Sequence, residues 1–257
     1  MSRQRRVLLV VAPLVFGVAF LSAWELFVVV QHVKPFILPK PSAIWHQIVS
    51  NRSLIVEAAR VSGANALVGL VAGTAIGLVG AFVASRFRPV QELLSPLAVA
   101  VNAVPIIVLV SVFNNMFATT SSIPRRLMVT IVVFFVVFVN VTKGLTNTDQ
   151  TQLELMSSYA ASDWTILRKV RLPNALPFFF TALKVASSLS VITAFVAEYF
   201  GGRQNGLGYK ITSSFTSSKQ AQGWAYVAAA CALGLVFYLA AATAERVAIP
   251  WETKKSS

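Results

Sequence analysis

Charge is what this chain has least of. Only 12% of its 257 residues are charged, and nine are acidic. A soluble domain carries roughly a quarter charged residues, so an ordinary water-facing surface is excluded. Cysteine occurs once, at Cys231, inside an apolar run. No disulfide within the chain and no cysteine-rich metal site can therefore form. Histidine occurs twice, at His32 and His46, with no cysteine near either. That pair fits no metal-binding spacing, and it leaves the apolar runs without a base for an intramembrane nucleophile. No run alternates apolar and polar residues as a barrel strand does. No G-x-x-x-x-G-K-[ST] loop is present, so the chain lacks the cradle that holds nucleotide phosphates.

What the chain has in abundance is apolar length. Hydrophobic residues make up 56% of it, and the mean hydropathy is +0.70. Six runs approach the roughly 20 residues that a bilayer crossing needs. They are expected near 7–30, 55–82, 93–117, 127–142, 176–200 and 224–247. Helices satisfy their own backbone groups in lipid, so the predicted fold is an all-α membrane protein, one domain over residues 1–257. The first run reaches Val30, too far for a signal-peptide core, and is expected to remain as a span.

The formal charge is +13, from 22 Lys+Arg. These residues gather at the ends of the apolar runs. Anionic lipid head groups and the positive-inside rule account for that placement better than nucleic acid does. Six spans put both termini on one side of the membrane. Arg3, Arg5, Arg6 and the Arg168, Lys169, Arg171 group assign that side to the cytoplasm.

Several local features carry further expectations. The stretch "LPKPSAIWHQIVS" predicts a short surface helix with Ser42 as its N-cap. The 201–223 loop is rich in Gly, Ser and Gln, and is either a solvated connector or a docking surface for an outer partner. Gly69, Gly73 and Gly77 recur every fourth residue and let another helix approach closely, within the chain or at a subunit interface. Polar residues inside spans are costly and are candidates for a solute path: Asn102, Ser111, Asn140, Ser187 and Glu198. The alternatives are hydroxyls bonded to their own helix, hydrogen bonds between helices or, for Glu198, simple exposure at the membrane surface. Lys184 is expected to snorkel or to find a partner.

One segment stands apart: "ELMSSYAASDWTILRKVRLPNALP", residues 154–177. Thr151 and Glu154 have the spacing of a capping box. Ser162 is predicted to cap a second helix, Asp163 to Arg171, whose charge order suits the helix dipole. Pro173 should end that helix at Leu172, and Asn174 should cap the next span. The residues alone allow an interfacial helix at the head groups or a docking element for a cytosolic protein.

Here the chain resembles the inner-membrane permeases of binding-protein-dependent ABC importers. Their cytoplasmic loop reads Glu-Ala-Ala, three residues, Gly, nine residues, an aliphatic, one residue, Leu-Pro. This chain has Glu154, then Ala160 at the Gly position, then Val170, Leu172 and Pro173 at matching spacing. Leu155 and Met156 replace the two alanines. Ala in place of Gly would cost roughly 1 kcal/mol if the backbone there is left-handed. Further blocks, including "PLAVAVNAVPIIVLVSVF", "VAEYFGG", "GLGY" and "FYLAAATAERVAIPW", are similar to the nitrate/sulfonate/taurine type, a subset of which is associated with pyrimidine vitamin precursors.

The resemblance implies a type I importer permease whose coupling helix, about residues 150–173, docks on a separate ATPase. Glu154, Ala160, Leu172 and Pro173 fall on the family's motif. Tyr159, Trp164 and Arg168 join them by amphipathicity. The implied assembly has two ATPase subunits, an extracytoplasmic solute-binding protein and a second permease chain, expected as a homodimer. ATP and Mg would sit on the ATPase, leaving this chain without cofactor, metal or catalytic residue. An ion-coupled secondary transporter would want midplane ionisable groups and internal repeats. A non-transporting scaffold is the other alternative. Nothing in the residues identifies the solute.

Overall fold

The computed structural model describes residues 3–117, 121–201 and 205–250, with side chains from residue 11 onward except at 95, 99, 101 and 102. Every regular element among the described residues is helical. The order is α1 (Arg3–Val30), α2 (Pro41–Ser50), α3 (Arg52–Arg86), α4 (Arg88–Ala103), α5 (Ile106–Met116), α6 (Ile123–Thr146), α7 (Gln150–Ser158), α8 (Asp163–Ile166), a π turn (Leu167–Arg171), α9 (Leu172–Phe200), α10 (Leu207–Thr216) and α11 (Gln220–Ala248).

Among the described residues, five stretches of helix are long and apolar enough to cross a membrane. Six crossings were expected. The difference lies in 93–117, which is divided between α4 and α5 by the Val104-Pro105 break. Pro105 has no N–H and disfavours helical geometry at the residue before it, so it parts an apolar run that hydropathy alone reads as continuous. The first pathway candidate, Asn102, lies in α4, and its side chain is outside the described set.

The core is the packing of α3, α6 and α9. α6 is the most enclosed, with Val129, Val133, Val137, Phe138 and Leu145 all buried. It lies along the glycine face of α3. A Cβ on Gly73 would sit 2.6 Å from the Thr130 carbonyl oxygen and 2.7 Å from Val133 Cβ. A Cβ on Gly77 would sit 3.0 Å from Val137 Cβ, and one on Gly69 would collide with Val129. The three glycines therefore let two backbones meet within this chain, where lipid offers little hydrophobic drive and packing contact must hold the helices. At the opposite extreme is α1, where Leu14, Phe16 and Val18 are all exposed. Its Trp24 meets Trp224 of α11 edge to face, ring centres 5.5 Å apart.

Two ends of the bundle are distinct. One carries α2 and α10. Here Glu25 of α1 accepts hydrogen bonds from the Ser42 backbone N–H at 3.0 Å and the Ser42 hydroxyl at 2.7 Å. The N-cap position of α2 is Lys40, not Ser42, and the first-turn donor is met from another helix instead. The other end carries α7, α8 and the π turn, which form an elbow.

Candidate functional site at the elbow before α9

The elbow is built from local signals. α7 is capped by Asp149, whose Oδ1 accepts from the Thr151 N–H at 3.0 Å. The expected capping box of Thr151 with Glu154 is therefore displaced by two residues. Its far end is a Schellman closure: the Ala161 N–H reaches the Met156 oxygen at 3.0 Å, and the Ala160 N–H reaches that of Ser157 at 2.9 Å. That pattern requires a left-handed residue between them, and Ala160 supplies it with φ 52°. The position where the resemblance has Gly is thus left-handed here, with Ala carrying the strain. Ser162 then caps α8, accepting from the Thr165 N–H at 3.4 Å.

The helix does not stop at Leu172 as Pro173 suggested. α8, the π turn and α9 follow one another without interruption. Proline removes one i→i−4 donor, and a π turn, with its i→i+5 bonding, absorbs the mismatch: the Leu172 N–H bonds the Leu167 oxygen. Asn174 does not cap the span either. Its Nδ2 donates to the oxygens of Gly144 at 2.8 Å and Asn147 at 3.0 Å, tying the elbow to the last turn of α6. Gly144 permits this approach, since a Cβ there would lie 2.9 Å from Ala175 Cα.

The apex is exposed and partly apolar. Tyr159 is 75% exposed, Trp164 68% and Leu155 56%. Glu154, Ala160, Arg168 and Lys169 are exposed beside them, while Leu172 is half-buried at the root and Pro173 exposed. Two large aromatic rings on a six-residue bend mark a surface built for contact more than for solvation. A cleft of about 420 Å³, lined by Phe82, Arg86, Trp164, Leu167 and Arg171, separates the elbow from the end of α3. Arg86 and Asp163 meet across it at 3.7 Å, both well exposed, an ion pair of small worth.

The pathway candidates do not converge. Ser111 is exposed and donates to the Ile107 oxygen of its own helix at 3.2 Å. Asn140 is half-buried and donates likewise to Val136 at 2.8 Å. Ser187 is buried in α9. Glu198 is fully buried at the α10 end, where Ser62 and Asn65 of α3 donate to its carboxylate. Lys184 is paired, 2.7 Å from Glu245 of α11. Reading the residues alone passed over Ser62, Asn65 and the buried Arg125, whose guanidinium donates to the Gly201 oxygen at 3.0 Å. A polar pair three residues apart in an otherwise apolar span was the available signal.

A family model for the inner membrane component of binding-protein-dependent transport systems matches residues 73–250. The chain belongs to this family. This permease is 29% identical over 197 residues to a probable ABC transporter permease of Haemophilus influenzae, covering 77% of this chain and 80% of that one. It is 27% identical over 245 residues to the formylaminopyrimidine transport permease ThiX of Halalkalibacterium halodurans, covering 95% and 96%. It is 24% identical over 233 residues to the riboflavin transport system permease RibX of Chloroflexus aurantiacus, covering 89% and 85%. The crystal structure of an amino acid ABC transporter with histidines shares the fold, with a TM-score of 0.62 at 14% identity over 77% of this chain and 96% of that chain. The permease is thus the multi-pass, inner-membrane subunit of an ABC importer of small solutes. The family works with ATPase and binding-protein partners, and the permease component is not the catalytic one.

Proposed function

We propose that residues 150–173 are the surface through which a separate ATPase subunit drives this permease, with ATP and magnesium held by that subunit. The observation that carries this is the continuity of α8, the π turn and α9 beneath an exposed aromatic apex. A push on the apex has no loop in which to dissipate before it reaches a membrane span. In this arrangement the elbow and both termini face the cytoplasm, and α2 and α10 face outward. The assembly is two copies of the permease on a two-fold axis, two ATPases and one solute-binding protein. A cleft of about 650 Å³ between α2 and the α10–α11 turn, lined by Gln47, Asn51, Gln220, Gln222 and Phe36, offers amides to a docking loop of the binding protein. The solute is a small nitrogen heterocycle, a reading supported by the transport names of two relatives.

Glu154→Lys tests the elbow. It reverses charge on an exposed helix face and breaks no side-chain hydrogen bond or ion pair among the described residues. The variant is expected to insert and fold, while loaded binding protein no longer stimulates ATP hydrolysis. Stimulation at the wild-type level would count against the elbow as the ATPase contact.

A further inference from the structure

The polar network at the α10 end plays no part in the elbow. Glu198 is the one acidic residue of α9 and is fully buried, and among the described residues each group hydrogen-bonded to its carboxylate is a donor. The Ser62 hydroxyl and the Gly208 backbone N–H, the latter at 3.3 Å, meet Oε2. The Asn65 amide meets Oε1 at 3.2 Å. Ser62 in turn accepts the Leu207 N–H at 2.8 Å, and the Asn65 oxygen accepts Arg126 Nε of α6 at 3.2 Å. One carboxylate therefore joins four helices: α3, α6, α9 and the first turn of α10. Gly206 and Gly208 make the approach possible, because a Cβ on either would collide with Glu198 or with the α9 backbone.

A carboxylate accepts only, whereas a glutamine side chain must present one donor. Placed at Oε2, that donor faces the Gly208 N–H. Placed at Oε1, it faces the Asn65 amide, which cannot turn over without presenting its own donor to Arg126. The site is specific for the acid at full isosterism.

The opposite end of α9 is fastened too, by Asn174 on the last turn of α6. From 174 to 198 is roughly 36 Å of helix. Between these two fasteners α9 meets α3 and α6 through apolar and glycine contacts, and the Lys184–Glu245 pair ties it to α11, not to α3, α6 or α10.

We propose that Glu198 is a positioning residue that makes α10 part of the rigid unit α3–α6–α9, so that displacement received at the elbow is delivered to α10 at the far end. The proposal rests on the elbow being the driven element. Its consequence is that α10 moves in step with ATP binding, although it lies across the membrane from the nucleotide.

The test uses the permease assembled with its ATPase in lipid nanodiscs, with Cys231 replaced by Ser. Spin labels at Ser158→Cys report the elbow and at Thr216→Cys report α10, each as a distance between the two copies. Spectra are compared without nucleotide and after ATP turnover in the presence of vanadate, which traps ADP and vanadate on the ATPase. In the parent both distances shift. In Glu198→Gln the elbow shift is expected to persist and the α10 shift to be lost, with ATP hydrolysis unchanged. A residue that served stability alone would lower yield and melting temperature but leave the α10 shift intact in assembled molecules, and that result overturns the proposal. Should Glu198→Gln fail to assemble, Ser62→Ala removes one donor and the Leu207 acceptor, and is expected to reduce the α10 shift selectively. An undiminished shift there also overturns it. Absence of the elbow shift in the parent contradicts the driven elbow itself, a different failure.

Discussion

Gly73→Ala adds one methyl group where α3 crosses α6. The added Cβ would stand 2.6 Å from the Thr130 oxygen and 2.7 Å from Val133 Cβ, against an ordinary contact of 3.4–4 Å. The first obstacle is backbone and the second is the branch point of a valine, so no rotamer change relieves either. The helices must part locally by roughly 0.7–1 Å, at overpacking costs of about 1–3 kcal/mol. Gly69 and Gly77 sit one turn to either side and are also short of an ordinary contact, so tilting α3 transfers the clash and does not remove it. Opposing this, Ala is a better helix former than Gly by about 0.8–1 kcal/mol in water. Gly17→Ala isolates that opposing effect, because nothing among the described residues lies within 4 Å of a Cβ there. Reversible unfolding of both variants in the same lipid or detergent should place Gly73→Ala below Gly17→Ala by about 1–3 kcal/mol. Equal stability of the two would refute the glycine-face packing of α3 on α6.

Three further substitutions probe separate parts of the structure. Ala160→Gly relieves a left-handed alanine and should stabilise the α7 closure by about 0.5–1 kcal/mol after the entropy of Gly is subtracted. Slower hydrogen exchange at the Ala161 N–H checks this, and unchanged exchange counts against it. Asn174→Ala strips a donor from two carbonyls at the end of α6 and should cost about 1–3 kcal/mol, seen as faster exchange in the last turn of α6. Lys184→Met leaves Glu245 unpaired within the bundle and should destabilise by up to about 3 kcal/mol, with Lys184→Met/Glu245→Leu recovering most of the loss. A double variant no better than the single would show that the pair is not the cause.

Much of the elbow was legible because its determinants are local. Ser162 caps the helix that begins at the next residue, and the Glu154 to Pro173 spacing fixes the length of the bend. The errors were also local competitions. Asp149 won the cap from Thr151 by starting the helix two residues earlier and accepting the N–H of Thr151 itself. Pro173 failed to break the helix because a π turn took up the missing bond. Spans were legible by hydropathy, except where Pro105 divided one without changing its composition. Glu198 was visible as a costly acid near the end of a span, with a solute path, a bond between helices and exposure at the membrane surface all open, but its partners were not. Its α3 partners are 133 and 136 residues away, and no periodicity within one helix announces which other helix will supply its donors.

The central claim is that the elbow touches an ATPase on the cytoplasmic face. Tyr159→Cys, alone on a Cys231→Ser background, measures it most directly. Membrane-impermeant thiol reagent added outside intact cells should leave that cysteine unmodified, and a short bifunctional crosslinker in inverted vesicles should join it to the ATPase subunit. Modification from outside, or crosslinks that never include an ATPase, would contradict the account.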